Sequence, residues 1–310
     1  MNIIKNRYIY FGISLIIIIP GILALIFWSL PLGIDFTGGS LLEVKFDQGS
    51  PLSGDQVTAI YAEYSVPDAV ISNPVVRAMG EDSLSIRSKE MNDAIKSEII
   101  ASMEAQSGSS ITILHFTHVS ASVGEEVAAR AAVAVVLAAI AILLYITYAF
   151  RGVQHAFRYG TAAILAMLHD VLVVVGVEAI LGHYLGWEAD SLFLTALLTI
   201  IGFSVHDSIV VFDRIRENSG HFKKLSYETL VNHSIVQTLD RSINTQLTIM
   251  ITLLALVLFG GASIRHFVII LLIGVFSGTY SSIFNAAPFL VVWENKEWRN
   301  WFKRKTSTVQ

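Results

Sequence analysis

The chain has 310 residues, of which 54% are hydrophobic and 15% are charged, and its mean hydropathy is +0.61. Soluble domains carry roughly 25% charged residues, so this composition excludes an ordinary soluble protein and indicates an integral membrane protein. The small formal net charge of −4 gives no reason to expect a nucleic-acid partner. The chain contains no cysteine, which excludes disulfides, thiolate metal sites and thiol nucleophiles.

Six stretches are long and apolar enough to cross a bilayer, whose hydrocarbon core needs about 20 residues per helix. They cover residues 8–28, 127–150, 159–181, 191–212, 237–259 and 264–293. The first stretch is longer than a signal-peptide core and residues 29–31 are a poor cleavage site, so we expect a retained anchor. The predicted organisation is a first span within residues 1–30, a polar insert at 31–126, five spans within 127–293 and a tail at 294–310.

Lysine and arginine residues near the span ends predict the orientation of the chain in the membrane. Most of them lie on the side of the N-terminus, whereas the two short loops near residues 182–190 and 260–265 contain only Arg265 between them. We therefore expect cytoplasmic termini and an extracytoplasmic insert at residues 31–126.

The insert has the alternation of short elements that is typical of a small folded domain. Strands are predicted at residues 41–46, 69–78, 83–87 and 111–119, helices at 53–64 and 89–106, and a turn at 80–82. The order βαββαβ is that of the ferredoxin-like, or split βαβ, fold. His115 and His118 fall on opposite faces of the last strand, so the pattern predicts no shared metal site.

A glycine-rich link joins the first span to the insert. Its residues Gly33, Asp35, Gly38 and Gly39 belong to the run GIDFTGGS, and glycine permits backbone angles and close approaches that other residues resist. We interpret the link as a shaped turn or hinge. The phosphate-binding pattern GxxxxGK[ST] is absent from the whole chain, so ATP is not expected to be a direct energy source.

Ionisable residues inside spans are costly and usually mark an ion path or a pairing within the bundle. Asp170 and Glu178 fall in the third span, and Asp207 in the fourth, with His206 beside it and Asp213 nearer the cytoplasmic end. Asp207 is the main candidate for proton exchange. The alternatives are a snorkelling interfacial position for Asp213, and likewise for Arg241 of the next span, and a structural, hydrogen-bonded carboxyl for Asp170.

The fifth span carries a polar stripe on one helical face. Arg241 leads this stripe, and at 100° per residue it shares its face with Gln237, Asn244, Thr245, Thr248 and Thr252. In the sixth span, Gly274, Gly278, Ser281 and Asn285 share a face that begins as GxxxG, a pattern that favours close helix packing.

Patterns typical of enzymes are absent. The pairs His169–Asp170 and His206–Asp207 are adjacent residues and so do not share a helix face, and neither HExxH nor GxSxG occurs. We therefore expect no covalent catalysis, no metal and no cofactor.

Three segments carry a resemblance to a known family. GIDFTGGSLLEVKF from Gly33, FSVHDSIVVFDRIREN at residues 203–218 and QTLDRSINTQLT at residues 237–248 are similar to the signature segments of the SecF family of bacterial protein export. The arrangement of one span, an outside domain and five spans also resembles half of a resistance-nodulation-division (RND) pump. The resemblance covers the whole chain.

The resemblance implies a proton-driven function in the bacterial plasma (inner) membrane. By family likeness Asp207 matches the proton-carrying aspartate and Arg241 the arginine that works with it, with His206, Asp213, Asp170 and Glu178 as possible accessory relay groups. The implied partners are SecD, the SecYEG channel, YajC, an unfolded preprotein and the lipid bilayer. Two positions depart from the family pattern: His206 stands where asparagine is usual, and Val119-Ser120-Ala121 stands where Val-Gly-Pro is usual.

Two other interpretations stay open at this point. The chain would serve as half of a stand-alone RND-type exporter of small molecules or lipids, for which the insert of under 100 residues looks too small, or as a passive scaffold of the export channel. The coupling ion, H⁺ or Na⁺, is also open.

Overall fold

The computed structural model describes residues 2–48, 50–64, 74–79, 81–153 and 155–297. They divide into two compact units. One comprises Met1–Leu30, Ala134–Trp187 and Leu192–Gln310, and we call it the membrane unit; the other comprises Pro31–Val133 and Glu188–Ser191, and we call it the sheet unit.

The membrane unit takes its helices from both ends of the chain. The helices are α1 (Arg7–Trp28), the later part of α5 (Ala121–Ala149), α6 (Ala156–Leu185), α7 (Ser191–His221), α8 (Tyr227–Phe259), α9 (Ala262–Ser281) and α10 (Ala287–Glu294), and the last two are joined by a π-helical turn at Ser282–Ala286. By length and composition, six helical segments of the described chain can cross a membrane, because α9, the π turn and α10 form one continuous segment. The six predicted spans are confirmed.

Small residues allow the helices of the membrane unit to approach closely. A Cβ atom added to Gly21 of α1 would lie 2.9 Å from the Gly176 Cα of α6, so the two backbones are in contact there. On α9, a Cβ on Gly274 would meet Ile200 at 2.1 Å, and one on Gly278 would meet Ser204 at 3.3 Å. The prediction that the Gly274 face serves helix packing is therefore confirmed.

Among its described residues, the sheet unit contains one antiparallel sheet, three shorter helices and the start of α5. Its strands β1 (Gly39–Phe46), β2 (Val75–Ala78), β3 (Ser83–Ser88) and β4 (Ile111–Val119) lie in the order β2-β3-β1-β4, and its helices are α2 (Ile34–Thr37), α3 (Gly54–Glu63) and α4 (Asp93–Ser107). This order is that of the predicted ferredoxin-like fold. Of the strand predicted at residues 69–78 and the turn at 80–82, residues 69–73 and 80 lie outside the described residues.

Alternation along β1 explains why the helices cover one face of the sheet. Leu42, Val44 and Phe46 point to the same side and are buried, together with Val57 of α3 and Ile99 of α4. Local sequence fixes the start of each helix. Ser53 and Gln56 form a reciprocal capping box at α3, and the Asn92 side chain accepts a hydrogen bond from the Ile95 amide at α4.

The glycine-rich link folds into the short helix α2 and a sharp entry to β1. Gly38 and Gly39 have φ of +71° and +126°, a region that favours glycine. A Cβ on Gly38 would lie 2.6 Å from the Ala121 Cα, and a Cβ on Gly124 would lie 2.6 Å from the Gly38 amide nitrogen. The first turn of α5 is therefore packed directly on the link.

Candidate functional site

Asp207 lies inside the membrane unit. Its side chain is 4% exposed, and the Gln246 side-chain amide donates a hydrogen bond of 2.5 Å to its Oδ2. The other amide atom of Gln246, Oε1, is buried without a hydrogen-bond partner within the described part of the chain. A single amide from α8 thus holds this carboxyl of α7 in an apolar setting, where its charge is costly.

Gln246 belongs to a buried polar face of α8. Ser234, Thr238, Ser242 and Gln246 recur every four residues, and each is less than 9% exposed. At the end of this face nearest the C-terminus of α7, the Asn218 amide of α7 donates to Ser234 at 2.9 Å and to Gln237 at 2.8 Å. The interface between α7 and α8 is therefore lined by polar groups from Asp207 toward the end of α7.

The polar stripe that begins at Arg241 lies on a different face of α8. Arg241, Asn244, Thr245, Thr248 and Thr252 are all exposed in this chain. No hydrogen bond or ion pair joins Arg241 to another described residue, and the predicted pairing of Asp207 with Arg241 is absent from this structure. Gln246 is five residues from Arg241, which places them about 140° apart around the helix and about 7.5 Å apart along it. Only one of them can face Asp207 in a given arrangement.

Asp170 has a full set of hydrogen bonds. Ser277 donates to its Oδ1 at 2.7 Å, Ser281 donates to its Oδ2 at 2.6 Å, and the His169 Nδ1 lies 2.9 Å from Oδ1. These hydrogen bonds join the Asp170 carboxyl of α6 to α9. They favour the structural interpretation of Asp170 over the relay interpretation. His169 is also buried, and its Nε2 has no partner among the described residues.

Glu178 lies two turns further along α6 and forms a separate cluster. Its side chain is fully buried, and its Oε2 lies 2.9 Å from the Nε2 of His266 on α9. The Trp187 ring covers His266, with ring centroids 4.5 Å apart. The structure does not bring Glu178 into contact with Asp170 or Asp207.

The two remaining accessory candidates lie at the surface of this chain. His206 is exposed on α7, although its neighbour Asp207 is buried. Asp213 is exposed and pairs with Arg216 one turn away at 2.5 Å, which agrees with the interfacial interpretation. In the described part of the chain, no three His, Asp or Glu side chains are grouped so that they could hold a metal ion.

Four residues of the predicted hinge have defined contacts in the sheet unit. The Gly33 amide donates to the Ala189 carbonyl at 2.7 Å, and Asp35 Oδ2 accepts from the Ser191 amide at 2.9 Å. Gly38 and Gly39 form the tight entry to β1. The link is therefore a fixed structure of short contacts in this conformation.

The fold and its interior define a class of protein: a multi-pass helical membrane protein with buried carboxyls in its spans and a ferredoxin-like domain between the first two spans. A family model described as protein export membrane protein SecD/SecF, C-terminal, matches residues 98–296, and one described as SecD/SecF GG motif matches residues 30–50.

Individual relatives agree with the family models. The chain is 52% identical to protein translocase subunit SecF of Anaerolinea thermophila over 98% of this chain and 97% of that protein. It is 47% identical to the SecF subunit of Thermobaculum terrenum over 98% and 97% of the two chains. The chain therefore belongs to the SecF family.

Solved structures show the same fold in a longer protein. The crystal structure of SecDF from Thermus thermophilus, a translocon-associated membrane protein, matches with a TM-score of 0.81 and 31% identity over 95% of this chain. A second SecDF structure, in a super-membrane-facing form, matches with a TM-score of 0.63 and 27% identity over 97% of this chain. This chain spans 39% of each of those chains.

Proposed function

We propose that this chain is the SecF subunit of a SecD–SecF complex that uses the proton motive force to promote protein translocation through the SecYEG channel. The proposal rests on family membership together with one observation, the buried Asp207 carboxyl that a neutral amide from the next helix holds. Such a group is able to gain and lose a proton, and each change alters how its two helices fit together.

The proposed cycle begins with a proton that reaches Asp207 from outside. Protonation removes the negative charge to which Gln246 donates its hydrogen bond, and charge-assisted hydrogen bonds are about twice as strong as neutral ones. The contact between α7 and α8 weakens, and the two helices shift against each other. Release of the proton to the cytoplasm restores the original contact.

The energies of this cycle are compatible with known coupling. One proton that crosses 100 mV supplies about 2.3 kcal/mol, and each pH unit adds about 1.4 kcal/mol. Linked sites in proteins typically couple by about 1–3 kcal/mol. The free energy that one proton supplies per cycle is therefore sufficient to drive one two-state rearrangement of the contact between α7 and α8.

Arg241 has a different place in this scheme from the one that sequence suggests. Its exposed stripe puts an arginine, an asparagine and three threonines on the outside of a membrane helix, where contact with lipid is unfavourable. We propose that SecD covers this stripe, so that Arg241 acts at the contact between the two subunits, and that Gln246 is the partner of Asp207 in the resting arrangement.

The remaining parts of the proposal concern placement and partners. The basic residues near the span ends support cytoplasmic termini in the bacterial inner membrane, with the sheet unit outside. There it would hold an emerging preprotein together with the outside part of SecD and prevent backsliding. YajC is a further proposed partner. The chain performs no covalent chemistry in this scheme and needs no cofactor besides the proton gradient.

The decisive experiment measures proton-driven translocation by proteoliposomes that contain SecD, this chain and the SecYEG channel. Asp207→Asn keeps the hydrogen-bonding shape but cannot cycle between charged and neutral forms. We expect it to abolish both the stimulation of translocation by a proton gradient and the proton flux of the complex. Asp213→Asn is the matched control, because Asp213 is exposed and pairs within its own helix, and it should leave both unchanged. Full gradient-dependent stimulation in Asp207→Asn would refute the proposal.

A further inference from the structure

The segment Glu188–Ser191 connects α6 to α7, yet it is part of the sheet unit. Ala189 is 1% exposed. Its amide donates to the Pro31 carbonyl at 2.8 Å, and its carbonyl accepts from the Gly33 amide at 2.7 Å, so that Leu32 and Ala189 pair like neighbouring parallel strands. A loop between two membrane helices is thus tied by its backbone to the link that follows α1.

Glu188 adds two ion pairs between the same loop and the sheet. Its Oε1 lies 3.0 Å from Arg77 of β2, and its Oε2 lies 3.1 Å from Arg87 of β3. The glutamate side chain is only 18% exposed, so these two ion pairs are partly shielded from solvent. Arg87 also donates to the Thr37 hydroxyl of α2 at 2.7 Å, which joins the loop, the sheet and the link in one network.

Asp35 completes the network at the start of α7. Ser191 is the first residue of that helix, and its amide donates to the Asp35 carboxylate at 2.9 Å. The first amides of a helix have no partner inside the helix, and a carboxylate is favoured there by hydrogen bonding and by the helix dipole. Asp207 is on the same helix, about 24 Å further along at 1.5 Å per residue.

We propose that these contacts form a coupling junction that stays closed during the transport cycle and transmits movement of α7 to the sheet unit. The coupling junction comprises Glu188, Ala189 and Ser191 on the loop, and Leu32, Gly33, Asp35, Arg77 and Arg87 on the sheet unit. It adds a third attachment to the two chain connections that precede β1 and follow β4. Its residues position the outside domain and take no part in proton exchange. The proposal rests on the proposed function above.

The physical reason for expecting transmission is the stiffness of this arrangement. A helix end held by backbone bonds, a capping carboxylate and a doubly paired glutamate cannot move independently of the strands that hold it. A shift of α7 caused by a change at Asp207 therefore moves β2 and β3 as well. Without the ion pairs, β2 and β3 lose their direct contacts with the loop, so movement of α7 reaches these strands less completely.

The test uses the complete SecD–SecF complex with the SecYEG channel in proteoliposomes, and it compares proton flux with translocation. Glu188→Arg places a third positive charge between Arg77 and Arg87 and breaks both pairs. We expect gradient-driven translocation to fall at least about fivefold while proton flux stays within about twofold of the unaltered complex. Asp82→Arg is the matched control, since it breaks an exposed ion pair with Lys45 in the same unit by the same change of charge, and it should change neither quantity.

A covalent replacement of the lost contacts separates coupling from simple misfolding. Neighbouring strands lie about 4.8 Å apart, which is within the Cα separation of about 4.4–6.8 Å that a disulfide spans. Leu32→Cys with Ala189→Cys should therefore form a disulfide, and the absence of other cysteines makes its assignment unambiguous. In the otherwise unaltered chain the oxidised form should translocate normally, because the junction never opens. In the Glu188→Arg chain, oxidation should restore translocation and reduction should remove it again.

Two outcomes would overturn the coupling junction. One is full translocation by the reduced Glu188→Arg chain, and the other is a block of translocation when the otherwise unaltered chain is oxidised. Neither outcome involves Asp207. If Asp207→Asn transports normally the proposed function itself fails, whereas if only the junction variants disagree the proton-driven function stands and the transmission route is wrong.

Discussion

At the scale of single residues, the Gln246 side-chain amide determines the immediate surroundings of the Asp207 carboxyl. The sequence shows one conspicuous polar stripe on the fifth span, headed by an arginine, and this stripe was the natural partner for Asp207. In the structure a neutral amide makes that contact. A neutral partner leaves the carboxyl free to change its charge without breaking an ion pair in this chain.

We predict that Gln246→Leu reduces proton-driven translocation about tenfold. A hydrogen bond to a charged group contributes about 1.5–3 kcal/mol, and its loss leaves the buried Asp207 carboxylate without its donor. Leu247→Ala is the control, because Leu247 is the next residue and lies exposed on α8. The measurement is translocation as a function of the imposed proton gradient. Equal gradient dependence in Gln246→Leu and Leu247→Ala would show that the contact has no part in the cycle.

The sequence contains a second polar pattern on the fifth span that includes Gln246, but the stripe headed by Arg241 is more conspicuous. Ser234, Thr238, Ser242 and Gln246 repeat at intervals of four, which is as regular as the stripe that contains Arg241. Sequence alone shows that two polar faces exist on one helix. It does not show which face turns toward α7, since that depends on packing among helices far apart in the chain. His266 and Ser277 were missed for the same reason.

At the scale of helices, small residues set the distance between α1 and α6. Gly21 and Gly176 bring the two backbones together, and the Ser14 and Asn285 side chains hydrogen-bond in the first half of α1, with the Asn285 amide donating to Ser14 at 2.8 Å. Helices in membranes associate by close packing and by polar contacts of this kind, because lipid supplies little hydrophobic drive.

We predict opposite effects for the same substitution at two positions of α1. Gly21→Ala places a methyl group 2.9 Å from the Gly176 Cα and should destabilise the protein by about 1–3 kcal/mol, the usual effect of overpacking. Gly12→Ala meets nothing within 4 Å and should be neutral or stabilise by up to about 1 kcal/mol, because alanine favours the helix. Thermal unfolding in detergent measures both. Similar unfolding temperatures for the two variants would contradict the close packing.

The elements themselves were largely predictable because their signals are local. Hydrophobic length identifies the spans, and alternation in residues such as Leu42, Val44 and Phe46 identifies the strands of the sheet unit. The contacts of Glu188 were not predictable. Nothing near Glu188 in the sequence indicates that it meets Arg77 and Arg87, which are about a hundred residues earlier, and such long-range pairs follow from topology alone.

At the scale of the whole molecule, the exposed face of α8 distinguishes this chain from a self-contained bundle. Three threonines, an asparagine and an arginine occupy that face within a segment apolar enough to span the membrane. The longer SecDF chains to which this chain is similar contain further length that this chain lacks. We therefore regard the face as the proposed contact with SecD.

We predict that a bulky side chain on this face releases the partner. Thr248→Trp should lower the amount of SecD that co-purifies with this chain at least about fivefold, because a large ring cannot fit a closely packed helix contact. Ile243→Trp is the control, since Ile243 is also exposed on α8 but lies about 140° from Thr248 around the helix. Undiminished recovery of SecD with Thr248→Trp would place the subunit contact elsewhere.

The π-helical turn at Ser282–Ala286 has a consequence for how such a molecule can move. Ser281 donates to Asp170 of α6, while the next residue, Ser282, donates to the Ser204 carbonyl of α7 at 3.0 Å. Two adjacent serines thus hydrogen-bond to two different helices, α6 and α7. A π turn contains one residue more than the α-helical turn that it replaces, and such turns are frequent at functional sites. A shift of α7 relative to α6 would therefore strain these two hydrogen bonds together, at the place where the helix departs from α-helical geometry.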